Sequence, residues 1–182
     1  MRGNRTTKIN AESFQAFSSP NFPPLAEAGI NIRYIDGLIM RPRQDEGLKL
    51  NTRLDTRVSI LKIHPGITEQ VVKNILLGEQ TRAVIIETYG SGNAPSVQWF
   101  LDAVHEAVAM GKILVNVTQC PAGMVDMNIY ATGKNMQNAG VISGADSTTE
   151  AMLAKLFCLL GRESKPELIK AQLTRNLRGE IS

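Results

Sequence analysis

Three short apolar runs at regular intervals constrain this chain more than anything else in it. They are Val58–Ile63 (VSILKI), Ala83–Thr88 (AVIIET) and Ile113–Val117 (ILVNV). Each is rich in β-branched residues, and none alternates strictly between apolar and polar positions. That pattern predicts strands buried on both faces, because a sheet open to water on one side would show period two. Helical patterns lie between the runs. Thr68–Leu77 places Val71, Val72, Ile75 and Leu76 on one side and stops at Gly78. Ser96–Met110 spaces Val97, Phe100, Leu101, Val104 and Val108 at the helical period and ends at Gly111. Further on, Val141–Ser143 reads as a short fourth strand. Ser147–Leu160 reads as a helix with an apolar stripe of Leu153, Leu156, Phe157 and Leu160, opened by a Ser147/Glu150 capping box. A last helix opens at Ser164-Lys165-Pro166-Glu167, with a second capping box and an early proline.

Strands alternating with helices at this spacing imply βαβ units, a parallel sheet and right-handed crossovers. The predicted class is α/β, a three-layer flavodoxin-like domain with a short, mostly parallel sheet. It is expected to span 58–182. Residues 1–57 read differently. Ser18-Ser19-Pro20, Phe22-Pro23-Pro24 and Arg41-Pro42-Arg43 interrupt any long regular element, because proline removes a backbone donor and restricts its neighbour. Short strands are expected there at Ile30–Ile35 and Gly37–Met40, within an irregular N-terminal segment and linker that packs on something else.

Composition excludes several classes of function. A 43% apolar content leaves material for a packed core. The net charge of +3 is spread out, with no run of five or six basic residues, so no nucleic-acid partner is expected. No apolar run approaches the ~18–20 residues of a membrane span, so no membrane partner is expected either. The basic start, Met1 to Arg5, leads into no apolar signal core, which predicts a cytoplasmic location. Cys120 and Cys158 are expected as free thiols. His64 and His105 stand far apart, and neither a metal nor a cofactor is expected.

In such sheets ligands sit beyond the carboxyl ends of the strands. Four loops occupy that edge: His64–Gly66, Tyr89–Pro95, Thr118–Gly123 and Gly144–Ser147. Tyr89-Gly90-Ser91-Gly92-Asn93-Ala94-Pro95 lets backbone amides approach a ligand, but proline stands where a dinucleotide fingerprint needs glycine. It serves equally as a tight turn with no ligand. Cys120 has no evident base and reads as a semi-buried thiol lining a pocket; Cys158 reads as core. Tyr130-Ala131-Thr132-Gly133 can hold a polar ligand or satisfy local backbone. His64 reads as a loop residue and His105 as the rim of its helix. Trp99 lies off the helical stripe and is expected to pack on the N-terminal segment or at a subunit contact. Asp146 and Glu150 suit the positive end of a helix dipole. No complete catalytic set emerges from the residues alone.

Several strings, in order along nearly the whole chain, resemble the C-terminal half of type I, cytoplasmic-type L-asparaginases. They include Arg2-Gly3-Asn4-Arg5-Thr6-Thr7-Lys8, Gly90–Pro95, Thr118-Gln119-Cys120, Tyr130–Gly133, Ala139–Asp146, Thr148–Ala151, Lys155-Leu156 and Asn176–Glu180. The resemblance implies a two-domain enzyme that hydrolyses L-asparagine to L-aspartate and ammonia through a threonine nucleophile. In that family the catalytic threonines lie in a Thr-Gly-Gly-Thr-Ile-like opening and a Thr-Asp-Thr string. Neither string is found here, so no catalytic residue is assigned, and Thr6 and Thr7 match a different string. Met1 is expected to be an internal methionine or a cut point, and the chain to be inactive alone.

The resemblance implies L-asparagine or L-aspartate as ligand and a homo-oligomer in the full-length form. It points to Glu87, Gln119 and Cys120 as candidate effector or substrate contacts, although a carboxylate at position 87, where relatives carry arginine, would repel the ligand's own carboxylate. Asn93, Tyr130 and Thr132 are candidates for closing a neighbouring subunit's site. Two other readings remain: the asparaginase-like subunit of a tRNA-dependent amidotransferase, and a non-catalytic amino-acid-binding or dimerisation module. Exposure of Phe14, Phe17, Phe22, Leu25 and Ile30 is expected to favour association.

Overall fold

The computed structural model describes residues 1–41, 47 and 50–182. Pro42 and Arg43 lie outside the described residues. Two small antiparallel hairpins come first: β1 (Thr7–Lys8) with β2 (Phe17–Ser18), and β3 (Ala26–Ala28) with β4 (Ile32–Tyr34). Ile30–Ile35 therefore contains a strand, as expected, but Gly37–Met40 does not. Asp36–Leu38 forms a single 3₁₀ turn instead, closed by the Ile39 amide on the Asp36 carbonyl.

The second part is a parallel four-stranded sheet in the order β5 (Val58–Lys62), β6 (Ala83–Thr88), β7 (Ile113–Thr118), β8 (Ile142–Ser143). The connecting helices are α1 (Glu69–Leu76), α2 (Gln98–Ala109) and α3 (Ala131–Asn138); α4 (Thr149–Arg162) and α5 (Pro166–Leu173) follow β8. The three-layer α/β class is the observed one. Alternate strand residues feed two separate cores. Leu61, Ile63, Val84, Ile86 and Leu114 pack with Val72 and Leu76 of α1, Phe100 and Val104 of α2 and Met136 of α3. Ala83, Ile85, Ile113, Val115 and Val117 pack with Met152, Leu156 and Leu159 of α4 and Ile169 and Leu173 of α5. Both faces of β6 and β7 are dry, so both sets of alternating positions there must be apolar; the edge strand β5 is not buried on both faces as its apolar run predicts, since no strand flanks it on the other side and Ile60 and Lys62 are exposed. Each fully buried Leu, Ile or Val stabilises the fold by about 1.5–3 kcal/mol relative to exposure.

Helix boundaries differ from the sequence reading in instructive ways. In α1, Val71 is exposed; Val72 and Leu76, one turn apart, take the core face and carry Val71 off it. The start of α2 moves from Ser96 to Gln98, because Tyr89 and Asn93 form a bridge and Val97 leaves it extended and exposed. Trp99 packs against the first core, edge-on to Phe100 at 6.1 Å, and not on the N-terminal segment. Helix α3 hides in the glycine-punctuated stretch: Met136 is its only large buried side chain, and Gly133 lies so close to Met127 that a Cβ would sit 2.8 Å from the Met127 carbonyl oxygen. The cap of α4 is Thr148, whose side chain accepts from the Ala151 amide, not Ser147. Helix α5 has its expected proline in the first turn but no capping box; Glu163 Oε1 accepts from the Ser164 and Lys165 amides instead.

Candidate functional site

The carboxyl edge of the sheet forms a pocket of about 240 Å³; of the four edge loops, Thr118–Gly123 and Gly144–Ser147 line it, while His64–Gly66 and Tyr89–Pro95 do not. Three candidates meet there. Glu87 ends β6; its Oε1 accepts from Thr149 Oγ1 at 2.7 Å, and its Oε2 lies 3.6 Å from Lys62 Nζ on β5. Gln119 follows β7 and is spent on the scaffold, donating from Nε2 to the carbonyls of Ile63 (2.6 Å) and Glu87 (2.8 Å). Cys120 lines the pocket but is exposed, not semi-buried, because its amide turns back onto Thr118 Oγ1 and lifts the residue onto the rim.

The opposite wall comes from the N-terminal segment. Thr7 donates to Glu150 Oε1 at 2.6 Å, and Lys8 and Asn21 also line the pocket. The first turn of α4 forms the back, with its amides and the positive end of the helix dipole. Two lysines, two glutamates and a helix N-terminus thus surround one small polar space.

The other three candidates lie elsewhere. Asn93 Oδ1 accepts from Thr132 Oγ1 at 3.3 Å, joining the glycine loop to the start of α3, and Tyr130 is exposed as that helix's N-cap residue. None of the three lines the pocket of Glu87. The six candidates therefore fall into two groups: Glu87, Gln119 and Cys120 at the pocket, and Asn93, Tyr130 and Thr132 where the glycine loop meets the start of α3. The glycine loop is held from beneath by a buried pair. Thr88 Oγ1 donates to Asn116 Oδ1 at 2.6 Å, and Asn116 Nδ2 donates to the Gly92 carbonyl. A side chain at Gly92 would need φ near +116° and would press on Asn116 and Val125, so only glycine fits there.

Sequence reasoning missed the most heavily bonded group beside the pocket. Arg5 is 2% exposed and forks onto Asp146, with Nη1 on Oδ1 (3.1 Å) and Nη2 on Oδ2. The same guanidinium donates to the carbonyls of Glu180 (2.9 Å) and Asn21 (3.1 Å). Asp146 also accepts from the amide and hydroxyl of Ser182. Burial alone would raise the Asp146 carboxyl, but the Arg5 and Ser182 hydrogen bonds overcome it and pull the pKa down to about 2. Ala145 adopts a left-handed φ of 52°, which turns Asp146 inward. From its neighbours in the chain Asp146 suits only a helix-dipole role, because nothing near it points to a partner 141 residues away. His64 and His105 are exposed, and Cys158 is half-buried on the outer side of α4 and not in the core. Among the described residues no group of three His, Cys, Asp or Glu could hold a metal ion, and no helix is long and apolar enough to cross a membrane.

Comparison with known proteins identifies the family of the chain. The profile of the glutaminase/asparaginase C-terminal domain matches residues 57–173, and the N-terminal asparaginase profile matches residues 1–39. L-asparaginase 1 of Escherichia coli is 45% identical over 181 residues, covering all of this chain and 53% of that protein. The human 60 kDa lysophospholipase is 40% identical over 182 residues, again across the full chain but only 31% of its own length. The crystal structure of L-asparaginase I from Vibrio cholerae superposes with a TM-score of 0.91 at 44% identity, covering 100% of this chain and 55% of that one. The chain thus spans about half the length of the asparaginases it matches. It belongs to the glutaminase/asparaginase family and corresponds to the C-terminal part of a type I asparaginase.

Proposed function

We propose that this chain supplies the C-terminal half of an L-asparaginase, which hydrolyses L-asparagine to L-aspartate and ammonia, and that it needs an N-terminal half carrying the threonine nucleophile. The observation that carries this reading is the match of the whole chain, at 45% identity, to 53% of E. coli L-asparaginase 1, with the C-terminal-domain profile lying over residues 57–173. On this reading residues 1–57 are the last part of the N-terminal domain with its linker, and 58–182 are the C-terminal domain. The whole enzyme is a cytoplasmic homo-oligomer. Asn93, Tyr130 and Thr132 reach toward a neighbouring subunit's site, which suits a tyrosine left exposed at a helix start.

The sheet-edge pocket then takes free L-asparagine or L-aspartate. Glu87 does not stand as a bare negative charge, because Lys62 and Thr149 already engage its carboxylate. A zwitterion fits with its ammonium toward Glu87 and Glu150 and its carboxylate toward Lys8 and the start of α4. The purified chain should release no ammonia from asparagine, whereas a fusion behind the N-terminal half of E. coli L-asparaginase 1 should do so. An inactive but folded fusion would overturn the reading.

A further inference from the structure

Strand β7 is apolar at every buried position but one. Asn116 is fully buried between Val115 and Val117. Its partner is Thr88, the last residue of β6, which is fully buried too. In the β6–β7 register Ile86 stands opposite Asn116 and Thr88 opposite Thr118, so Thr88 and Asn116 are diagonal neighbours on one face of the sheet. A core that needed only packing would carry apolar side chains here, because a buried amide must keep its hydrogen bonds to offset its desolvation.

What the pair holds is the glycine loop, which is fastened at five consecutive carbonyls. The Tyr89 carbonyl accepts from the amides of Gly92 (3.0 Å) and Asn93 (2.8 Å), and the Asn93 carbonyl accepts from the Tyr89 amide (3.0 Å). The Gly90 carbonyl accepts from Thr118 Oγ1 (2.6 Å) and the Ser91 carbonyl from the Asp126 amide (2.9 Å). The Gly92 carbonyl takes Asn116 Nδ2 at 3.3 Å. Thr88 Oγ1, donating to Asn116 Oδ1 at 2.6 Å, turns that amide so that its nitrogen faces the loop. At the next residue Thr132 Oγ1 donates to Asn93 Oδ1 at 3.3 Å, and Asn93 Nδ2 meets no acceptor among the described residues.

We infer that Thr88 and Asn116 are positioning residues for the hydrolysis: from inside the sheet they fix the glycine loop so that Asn93 offers its Nδ2 donor to the amino acid bound in a neighbouring subunit's site. This rests on the proposed reach of Asn93 toward that site. Neither Thr88 nor Asn116 touches substrate. A loop fixed before the ligand arrives loses less freedom on binding, and that is their contribution. The nucleophile belongs to the other half of the enzyme, so loosening the loop weakens substrate binding and leaves the chemical step alone.

The test compares Thr88→Val, which keeps the shape and removes the donor, with Thr88→Ser, which keeps the donor. In the chain itself, hydrogen exchange at the Gly92 and Asn93 amides should speed at least tenfold in Thr88→Val relative to exchange at Ile85, and stay within twofold in Thr88→Ser. Equal acceleration at Ile85 and Gly92 would reduce Thr88 to a stabiliser of the sheet and overturn the inference. In the fusion behind the N-terminal half of E. coli L-asparaginase 1, Thr88→Val should raise KM for asparagine at least fivefold with kcat within twofold, and Thr88→Ser should restore KM. Asn93→Ala should raise KM as much, and adding Thr88→Val to it should change KM less than twofold further. Independent, multiplying effects of the two substitutions would overturn the inference, as would a wild-type KM in Asn93→Ala. A folded fusion with no activity would instead overturn the asparaginase reading, and the exchange rates would still decide whether Thr88 positions the loop.

Discussion

Residues 58–182 and residues 1–41 are held by different physics. The sheet domain rests on two dry apolar cores, one on each face of β6 and β7. The N-terminal segment contributes no residue to either core. It is fastened by polar contacts: Arg5 on Asp146, Asn21 on Gly123 and Asp146, Asn4 on Arg178, and Arg2 on the Leu38 and Gly179 carbonyls while stacking 4.1 Å over Phe22. Its own apolar residues Ile9, Phe14, Phe17, Ile30, Ile32 and Tyr34 point to water. The lesson is that a segment can be well placed without a core, provided its charges find buried partners. Breaking that placement should give the largest effect. Arg5→Met leaves Asp146 buried without its cation, and should cost about 4 kcal/mol, within the range for losing one member of a buried pair. Limited proteolysis should then cut within 1–41 well before the sheet domain unfolds. Arg5→Met combined with Asp146→Leu should recover much of the loss.

The matching lesion in the domain is Leu156→Ala. Leu156 is fully buried between α4 and the sheet, and its truncation should cost about 3 kcal/mol through lost transfer energy plus a cavity. Urea unfolding should show the loss globally, with no selective loosening of 1–41. Acid separates the two regions again. The folded pKa of Asp146 is about 2 against an ordinary 3.8. A depressed carboxylate stabilises the fold above its unfolded pKa, and that contribution is lost as pH falls through the folded value. Between about pH 4 and pH 2 the clasp should lose about 2 kcal/mol. Thermal melts across that window, compared with Asp146→Asn, should show the wild-type slope flattened in the variant.

The two regions were also unequally legible in the sequence. The sheet was readable because a strand buried on both faces writes itself as a continuous apolar run, and β6 appears where its residues predict it. Helix α3 was not, because a short helix with one buried methionine and a glycine at its tightest contact carries almost no apolar period. Of the candidate site, the edge loops could be placed from topology, and Glu87, Gln119 and Cys120 do meet there. Thr7, Lys8 and Asn21 could not be placed on the same pocket, because the contacts that bring them are polar, non-local and more than 100 residues apart in the chain. Periodicity reports burial of apolar surface; it is silent about a guanidinium seeking a distant carboxylate.

The smallest expected effect sharpens the comparison at the start of α4, where the hairpin of β1 meets the helix. Thr148 Oγ1 accepts from the Ala151 amide at 3.2 Å and caps α4. With the cap at 148, the residue three positions on is alanine, so the reciprocal carboxylate of a capping box is missing. Glu150 is released from the helix and bonds Thr7 of the hairpin instead. Thr148→Ala should therefore cost the sheet domain about 1 kcal/mol, while Thr148→Ser should cost almost nothing. Glu150→Gln should leave the domain's melting temperature nearly unchanged and instead speed amide exchange at β1, because its carboxylate serves the N-terminal segment and not the helix. If Glu150→Gln lowered stability as much as Thr148→Ala and left β1 exchange untouched, the assignment of Glu150 to the segment would be wrong, and the boundary between the two kinds of fastening would have to move into α4.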